Sequence, residues 1–160
     1  MLMKDYMIQK QKQSKHGTGG LKMREILFRG KRIDNDEWVE GCGIIATENW
    51  VSIFTVIDDI DENSSEVNEI EVLPETVGQY TGLTDKNGDK IFDSDVVDIL
   101  TENEEVGIVT YDEGCFYVKA DGFSIDFRNN INGNDLLIIG NIHDNPEILK
   151  REFYICRKRG

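Results

Sequence analysis

The side chains best placed for chemistry lie between residues 85 and 93, where Asp85, Asn87, Asp89 and Asp93 offer oxygen ligands at near-alternate positions. An EF-hand loop binds a hard cation with such a pattern. The match then fails where the geometry is most demanding. Counting from Asp85, the sixth residue is Lys90, where an EF-hand needs Gly, and the twelfth is Val96, where it needs a bidentate Glu. We read these groups as solvated turn carboxylates. Residues 58–66, DDIDENSSE, concentrate four more carboxylates between Asp58 and Glu62. They lack the spaced Gly and carbonyl pattern of a built site and read as an exposed acidic loop.

Candidates for catalysis are few. Of the two histidines, His16 lies near the N-terminus and His143 lies beside Asp144. Adjacency in sequence does not make a dyad, because the carboxylate must reach the second ring nitrogen in space. His143 reads as a strand-end residue with a structural hydrogen bond. Cys42 sits between Gly41 and Gly43 with no adjacent base, so a reactive thiol has only its open backbone in favour. Nucleophile elbows, phosphate-binding loops, HExxH and Cys/His zinc spacings are absent from the sequence. No catalytic, cofactor-binding or metal-ligating residue is assigned, and the protein reads as a non-enzyme.

The elements that carry these groups read as strands separated by turn signals. Asn87-Gly88 predicts a two-residue type I′ hairpin turn, since Asn and Gly tolerate positive φ best. Gly78 and Gly82 bracket Gln79-Tyr80-Thr81 and mark a bend or a close approach of another strand. Ile91-Phe92, a polar corner at Asp93-Ser94-Asp95, and the β-branched run 96–100 follow. Upstream, residues 24–41 suggest a hairpin turning at Asp34-Asn35-Asp36, residues 50–57 a buried strand, and Ile70 to Leu73 a short strand closed by Pro74. Downstream, residues 105–111 and 115–119 pair across Asp112-Glu113-Gly114 and form a meander with 96–100; strands at 123–127 and 136–142 complete it. Short bent strands at this spacing suit small SH3-like barrel units. Asn145-Pro146-Glu147 then predicts the start of a short C-terminal helix, with Asn as N-cap and Pro at the first helical position. Ile148, Leu149, Phe153 and Cys156 share one face of it.

Three blocks of this sequence resemble the YopX family of phage and prophage proteins. They are MREILFRGKRIDNDEWVEG from Met23, VGQYTGLTDKNG with KIF and DVV from Val77, and IIGNIHDNPEIL from Ile138. Where the family places Gly in the corner before Asp-Val-Val, this sequence has Ser94, which puts a left-handed backbone there in question. The resemblance implies a phage origin and carries no assigned activity or catalytic residue. It begins at Met23, so residues 1–22, a Gln/Lys run ending in His-Gly-Thr-Gly-Gly, read as a disordered leader, either a cloning remnant or an upstream extension. The expected organisation is that leader, an N-terminal β subdomain at 23–74, the signature with an SH3-like β subdomain at 75–150, and a basic helix end or tail at 151–160.

Composition bounds the partners. The 160 residues carry a formal charge of −13, and its distribution is uneven. Between Ile33 and Leu149, 28 Asp or Glu face only Lys86, Lys90, Lys119 and Arg128, a net of −24. Nucleic acid should be repelled, because binding it depends on Lys and Arg displacing phosphate counterions. Arg24, Arg29, Lys31 and Arg32 near Trp38 are the exception, a cationic and aromatic surface for a phosphate or RNA. The alternative is that they neutralise the acidic middle. Tyr111, Phe116 and Tyr117 are the candidate stacking platform of an RNA- or single-stranded-DNA-binding module, or else core of the meander. Three cysteines without CxxC spacing, no membrane-length apolar run and no secretory signal indicate an intracellular protein, and the resemblance to phage proteins implies the bacterial cytoplasm. The reading is an acidic phage accessory protein that acts by protein contact or self-assembly, as a homo-oligomer or with a host or phage partner. An alternative is an acidic nucleic-acid mimic that occupies a basic host protein.

Overall fold

The computed structural model describes residues 24–61, 64–101, 105–128 and 131–148. The proposed leader at 1–22, the tail at 151–160 and Leu149, Phe153 and Cys156 of the expected helical face therefore lie outside the described residues. The protein divides into two compact units between Gln79 and Tyr80.

In the first unit, β1 (Phe28–Lys31) and β2 (Trp38–Gly41) form the hairpin expected around Asp34–Asp36, with Lys31 opposite Trp38 and Arg29 opposite Glu40. The turn residue Asp36 has φ 59, a conformation Asp tolerates better than most residues. β3 (Gly43–Ala46), β4 (Val51–Asp61) and β5 (Ser64–Val72) make a three-stranded antiparallel sheet. Alternation along β4 sends Val51 and Ile53 onto Val72, and Phe28, Val39, Ile44 and Val77 close over them. Gly30 packs against the Val72 and Ile53 side chains, where a Cβ would have only 3.0 Å. A single 3-10 turn, Pro74–Thr76, follows β5. Thr76 ties it down: its Oγ1 accepts from the Lys31 amide at 2.8 Å and donates to the Leu73 carbonyl at 2.7 Å.

The acidic loop expected at 58–66 is largely strand instead. β4 and β5 pair through Ile57–Glu66, Asp58–Ser65 and, beyond a register shift, Asp61–Ser64. Backbone pairing does not require an apolar face, so an acidic sequence can extend a hairpin begun by Val51 to Val56. The side chains of residues 57–65, and residues 62–63 altogether, lie outside the described residues.

β6 (Gly78–Thr84) enters the second unit, where its later part pairs with β7 (Lys90–Phe92) as Tyr80–Phe92 and Thr84–Lys90. The register shifts between those pairs, and Gly82 at φ 91 absorbs it. The remaining strands are β8 (Asp95–Ile99), β9 (Glu105–Asp112), β10 (Cys115–Ala120), β11 (Phe123–Asp126) and β12 (Leu136–Asn141). They form one antiparallel sheet in the order β11-β10-β9-β8-β12, so the expected meander is present and β12 returns beside β8. One face carries Val97, Ile99, Val109, Phe116, Val118 and Leu136 into a core shared with Ile91 and Ile131. The protein is mostly β, as the sequence predicts. Among the described residues the sheets remain open and no barrel closes, because β11 and β12 do not pair and the outer edge of β12 is occupied in another way. Helix begins at Pro146, as the proline predicts, but the Asn145 side chain does not cap it: its Oδ1 accepts from the Asn141 amide at 3.4 Å, and the Ile148 amide donates to the Asn145 backbone carbonyl. No helix among the described residues is long and apolar enough to cross a membrane.

Candidate functional site

The signature hairpin between β6 and β7 holds the one carboxylate of the candidate cation set that is buried. Asp85 is 2% exposed. Its Oδ1 accepts from the amides of Asn87 (2.8 Å) and Asp89 (3.0 Å), and its Oδ2 accepts from the Ile138 amide of β12 at 3.1 Å. Burial pushes this carboxyl upward, but the amides of Ile138, Asp89, Asn87 and Gly88 outweigh it and hold the group below the usual carboxylate range. The expectation of a solvated turn carboxylate is corrected for Asp85: its negative charge is satisfied by backbone donors. Alongside it, the Lys86 amide donates to the Leu136 carbonyl at 3.1 Å. Together they occupy the side of β12 that faces away from β8 and so cover a sheet edge. Gly133, in the turn before β12, lies so close to the Thr84 carbonyl that a Cβ there would overlap it.

The turn itself differs from prediction. Gly88 has φ 90, Asn87 does not have positive φ, and the Gly88 amide donates to the Asp85 carbonyl at 3.0 Å. This is a three-residue loop with glycine in the left-handed position rather than a two-residue I′ turn. Asp85 decides the difference by capping the loop amides from inside. Two consecutive left-handed residues occur instead at Glu113 (φ 47) and Gly114 (φ 81), between the paired residues Asp112 and Cys115. The second corner resolves the question at Ser94. Its φ is 72, so serine holds the left-handed backbone. Carboxylates pin both flanks: Asp95 Oδ2 accepts from the Phe92 amide at 2.7 Å and Asp93 Oδ1 from the Tyr111 amide at 3.1 Å.

Each of the other candidates is held in its own local setting. Asp144 Oδ2 accepts from the Asn141 side-chain amide at 2.8 Å, and Asn141 Oδ1 accepts from the amides of His143 and Asp144, each at 2.9 Å. His143 thus sits in a turn organised by Asn141. Cys42 is half-buried, its Sγ 3.7 Å from the Phe54 carbonyl oxygen, and burial pushes its thiol upward, away from the thiolate. Tyr111 and Phe116 are cross-strand neighbours with ring centroids 5.0 Å apart, Phe116 in the core and Tyr111 exposed. Tyr117 lies on the opposite face of the strand, so the three rings form no common platform. No group of three or more His, Cys, Asp or Glu able to hold a metal occurs among the described residues.

The basic cluster is engaged within its own hairpin. The Arg29 guanidinium carbon lies 4.8 Å and the Lys31 Nζ 5.7 Å from the Trp38 ring centroid. Arg32 donates from Nε and Nη2 to the two carboxylate oxygens of Asp34, at 2.8 and 2.6 Å, which lowers the Asp34 carboxyl and raises the guanidinium further. Elsewhere Lys119 bonds Asp112 at 3.0 Å and Lys90 sits 5.9 Å from the Tyr80 ring. Exposed carboxylates, among them Glu37, Glu48, Glu66, Glu69, Glu71, Glu75, Asp89, Glu113 and Asp121, outnumber these cations. Thr76 and Asp95 are structural polar groups that sequence reasoning did not single out; the Pro-x-Thr and Asp-x-Asp spacings are their only local signals.

The family model described as YopX protein matches residues 27–150. No curated protein matches the sequence. The crystal structure of protein EF1440 from Enterococcus faecalis is similar at 25% sequence identity, over 78% of this chain and 97% of that one, with a TM-score of 0.53.

Proposed function

Starting from the premise that this chain belongs to the YopX family, we propose that it is a phage-type accessory protein that acts by protein contact, with a partner or with its own copies, and without catalysis. The observation that carries this reading is the surface charge. The described cations are largely engaged by Trp38, Asp34, Tyr80 and Asp112, while exposed carboxylates project from both units. A surface of that sign attracts basic proteins, speeds encounter with them and repels nucleic acid. The residues with chemical potential support the same reading, since Asp85, Asn141 and Cys42 are held in local structural roles. Action in the bacterial cytoplasm as a homo-oligomer belongs to this proposal.

The net of −24 across residues 33–149 favours one specific second reading, a nucleic-acid mimic that occupies the basic groove of a host protein. A tagged pull-down from phage-infected cells after nuclease treatment, read by mass spectrometry, tests both. Salt-sensitive recovery of one basic host protein supports the mimic, and recovery of phage proteins supports an accessory role in assembly. Recovery of the bait alone, with turnover in a metabolite screen, would overturn both.

A further inference from the structure

We propose that Asn87 is a site of spontaneous deamidation, and that its conversion loosens the Asp85 tie to the edge of β12. The sequence has two Asn-Gly pairs, 87–88 and 132–133, and glycine is the successor that least obstructs attack on an asparagine side chain. Both asparagines are exposed, but the two pairs differ in their contacts. Asn87 and Gly88 are both exposed, space around Gly88 is open, and the Asn87 side-chain amide makes no hydrogen bond among the described residues. Asn132 is held in a capping box, its side chain accepting from the Asp135 backbone while the Asp135 carboxylate accepts from its own amide at 3.1 Å. Gly133 is buried against the Thr84 carbonyl.

The reaction needs only water and base. The Gly88 nitrogen, after its proton passes to solvent base, attacks Cγ of Asn87; an N–C bond forms, the Cγ–Nδ2 bond breaks, and Nδ2 leaves as ammonia. Water then opens the five-membered imide at either carbonyl. Cleavage of the Cγ–N bond gives aspartate, and cleavage of the original peptide bond between Asn87 and Gly88 gives isoaspartate. No atom changes oxidation state. In the folded protein the Gly88 amide donates to the Asp85 carbonyl, so attack requires local opening of this loop. At 132–133 the capping box and the Thr84 contact must open as well. Either product adds negative charge near Asp85 and Asp89, and isoaspartate adds a backbone atom beside the amides that Asp85 Oδ1 accepts.

The test incubates the full-length protein at mildly alkaline pH and follows both sites by peptide mapping, with Asn87→Gln as the control that removes the fast site. Asn87 should gain one mass unit, with separable aspartyl and isoaspartyl forms, roughly tenfold or more faster than Asn132, the ratio produced by about 1.4 kcal/mol of extra opening cost. Hydrogen exchange at the Ile138 amide should accelerate in the converted fraction. Equal or faster conversion at Asn132, or an unchanged Asn87 under conditions where the urea-unfolded protein converts at both sites, would overturn the assignment. Unchanged exchange at Ile138 in converted protein would overturn the coupling to β12.

Discussion

Replacing Asp85 tests the organising contact of the second unit. Three backbone amides bond its carboxylate, from Asn87, Asp89 and Ile138. A hydrogen bond to a charged group contributes about 1.5–3 kcal/mol, and a buried donor left without a partner costs about 1–3 kcal/mol. In Asp85→Ala water can reach the exposed loop amides, whereas the Ile138 amide loses an acceptor in a half-buried position. The expected loss is about 3–5 kcal/mol, below the sum of the separate bonds because they share one carboxylate. Asp85→Asn keeps the size and one acceptor oxygen. It can serve Asn87 and Asp89 or Ile138, while its NH2 faces a donor on the other side; about 2–3 kcal/mol is expected.

The same residue gives a pH signature. Because the folded Asp85 carboxyl lies below its unfolded value, its stabilisation is complete above the unfolded pKa, about 4, and is lost as pH falls through the lower, folded value. Urea denaturation at neutral pH measures the loss, and a series down to acid pH measures the slope. Wild type should lose stability more steeply below about pH 4 than Asp85→Asn, so that the two curves converge in acid. An Asp85→Ala penalty under about 1 kcal/mol, or parallel acid limbs for wild type and Asp85→Asn, would refute the structural role.

Three further substitutions or treatments probe other parts of the fold. Ser94→Gly should raise stability by about 0.5–1 kcal/mol in thermal or urea unfolding, since relief of a left-handed serine exceeds the added chain entropy of glycine. Gly133→Ala should cost about 2–4 kcal/mol, as a Cβ cannot occupy the space of the Thr84 carbonyl without backbone movement. Cys42, whose thiol burial pushes upward, should alkylate several-fold more slowly in the folded protein than in urea near neutral pH; equal rates would contradict the placement of its sulfur beside the Phe54 carbonyl.

The strand positions were legible wherever β-branched and aromatic residues alternate, as in Val51 to Val56 and Val96 to Ile99, and Pro146 announced its helix. Local sequence failed where the determinant is distant or does not involve an apolar face. β3, Gly43–Ala46, is short and flanked by glycine, and is fixed by pairing Ile44 with Ile53. The far end of the β4–β5 hairpin is written in carboxylates and serines, a composition that reads as loop although its backbone pairs. Asn87-Gly88 and Glu113-Gly114 exchanged their expected roles, because no local rule shows that Asp85 will cap the first loop from within. The burial of Asp85 depends on Ile138, 53 residues onward. Even Ser94 kept a geometry its residue type resists, since the Val109 carbonyl accepts its amide and its own carbonyl receives the Ile142 amide.

That strand order also has a timetable. β8 lies between β9 and β12, yet β9 follows it almost at once on the ribosome, while β12 begins at Leu136. At about 5–20 residues per second, several seconds of synthesis separate the completion of β8 from the arrival of its second neighbour. Until β12 pairs with β8, that side of Asp95–Ile99 lacks its strand partner, the kind of unpaired edge that invites mispairing. Asp85 is already synthesised by then, waiting to latch the last strand when it arrives.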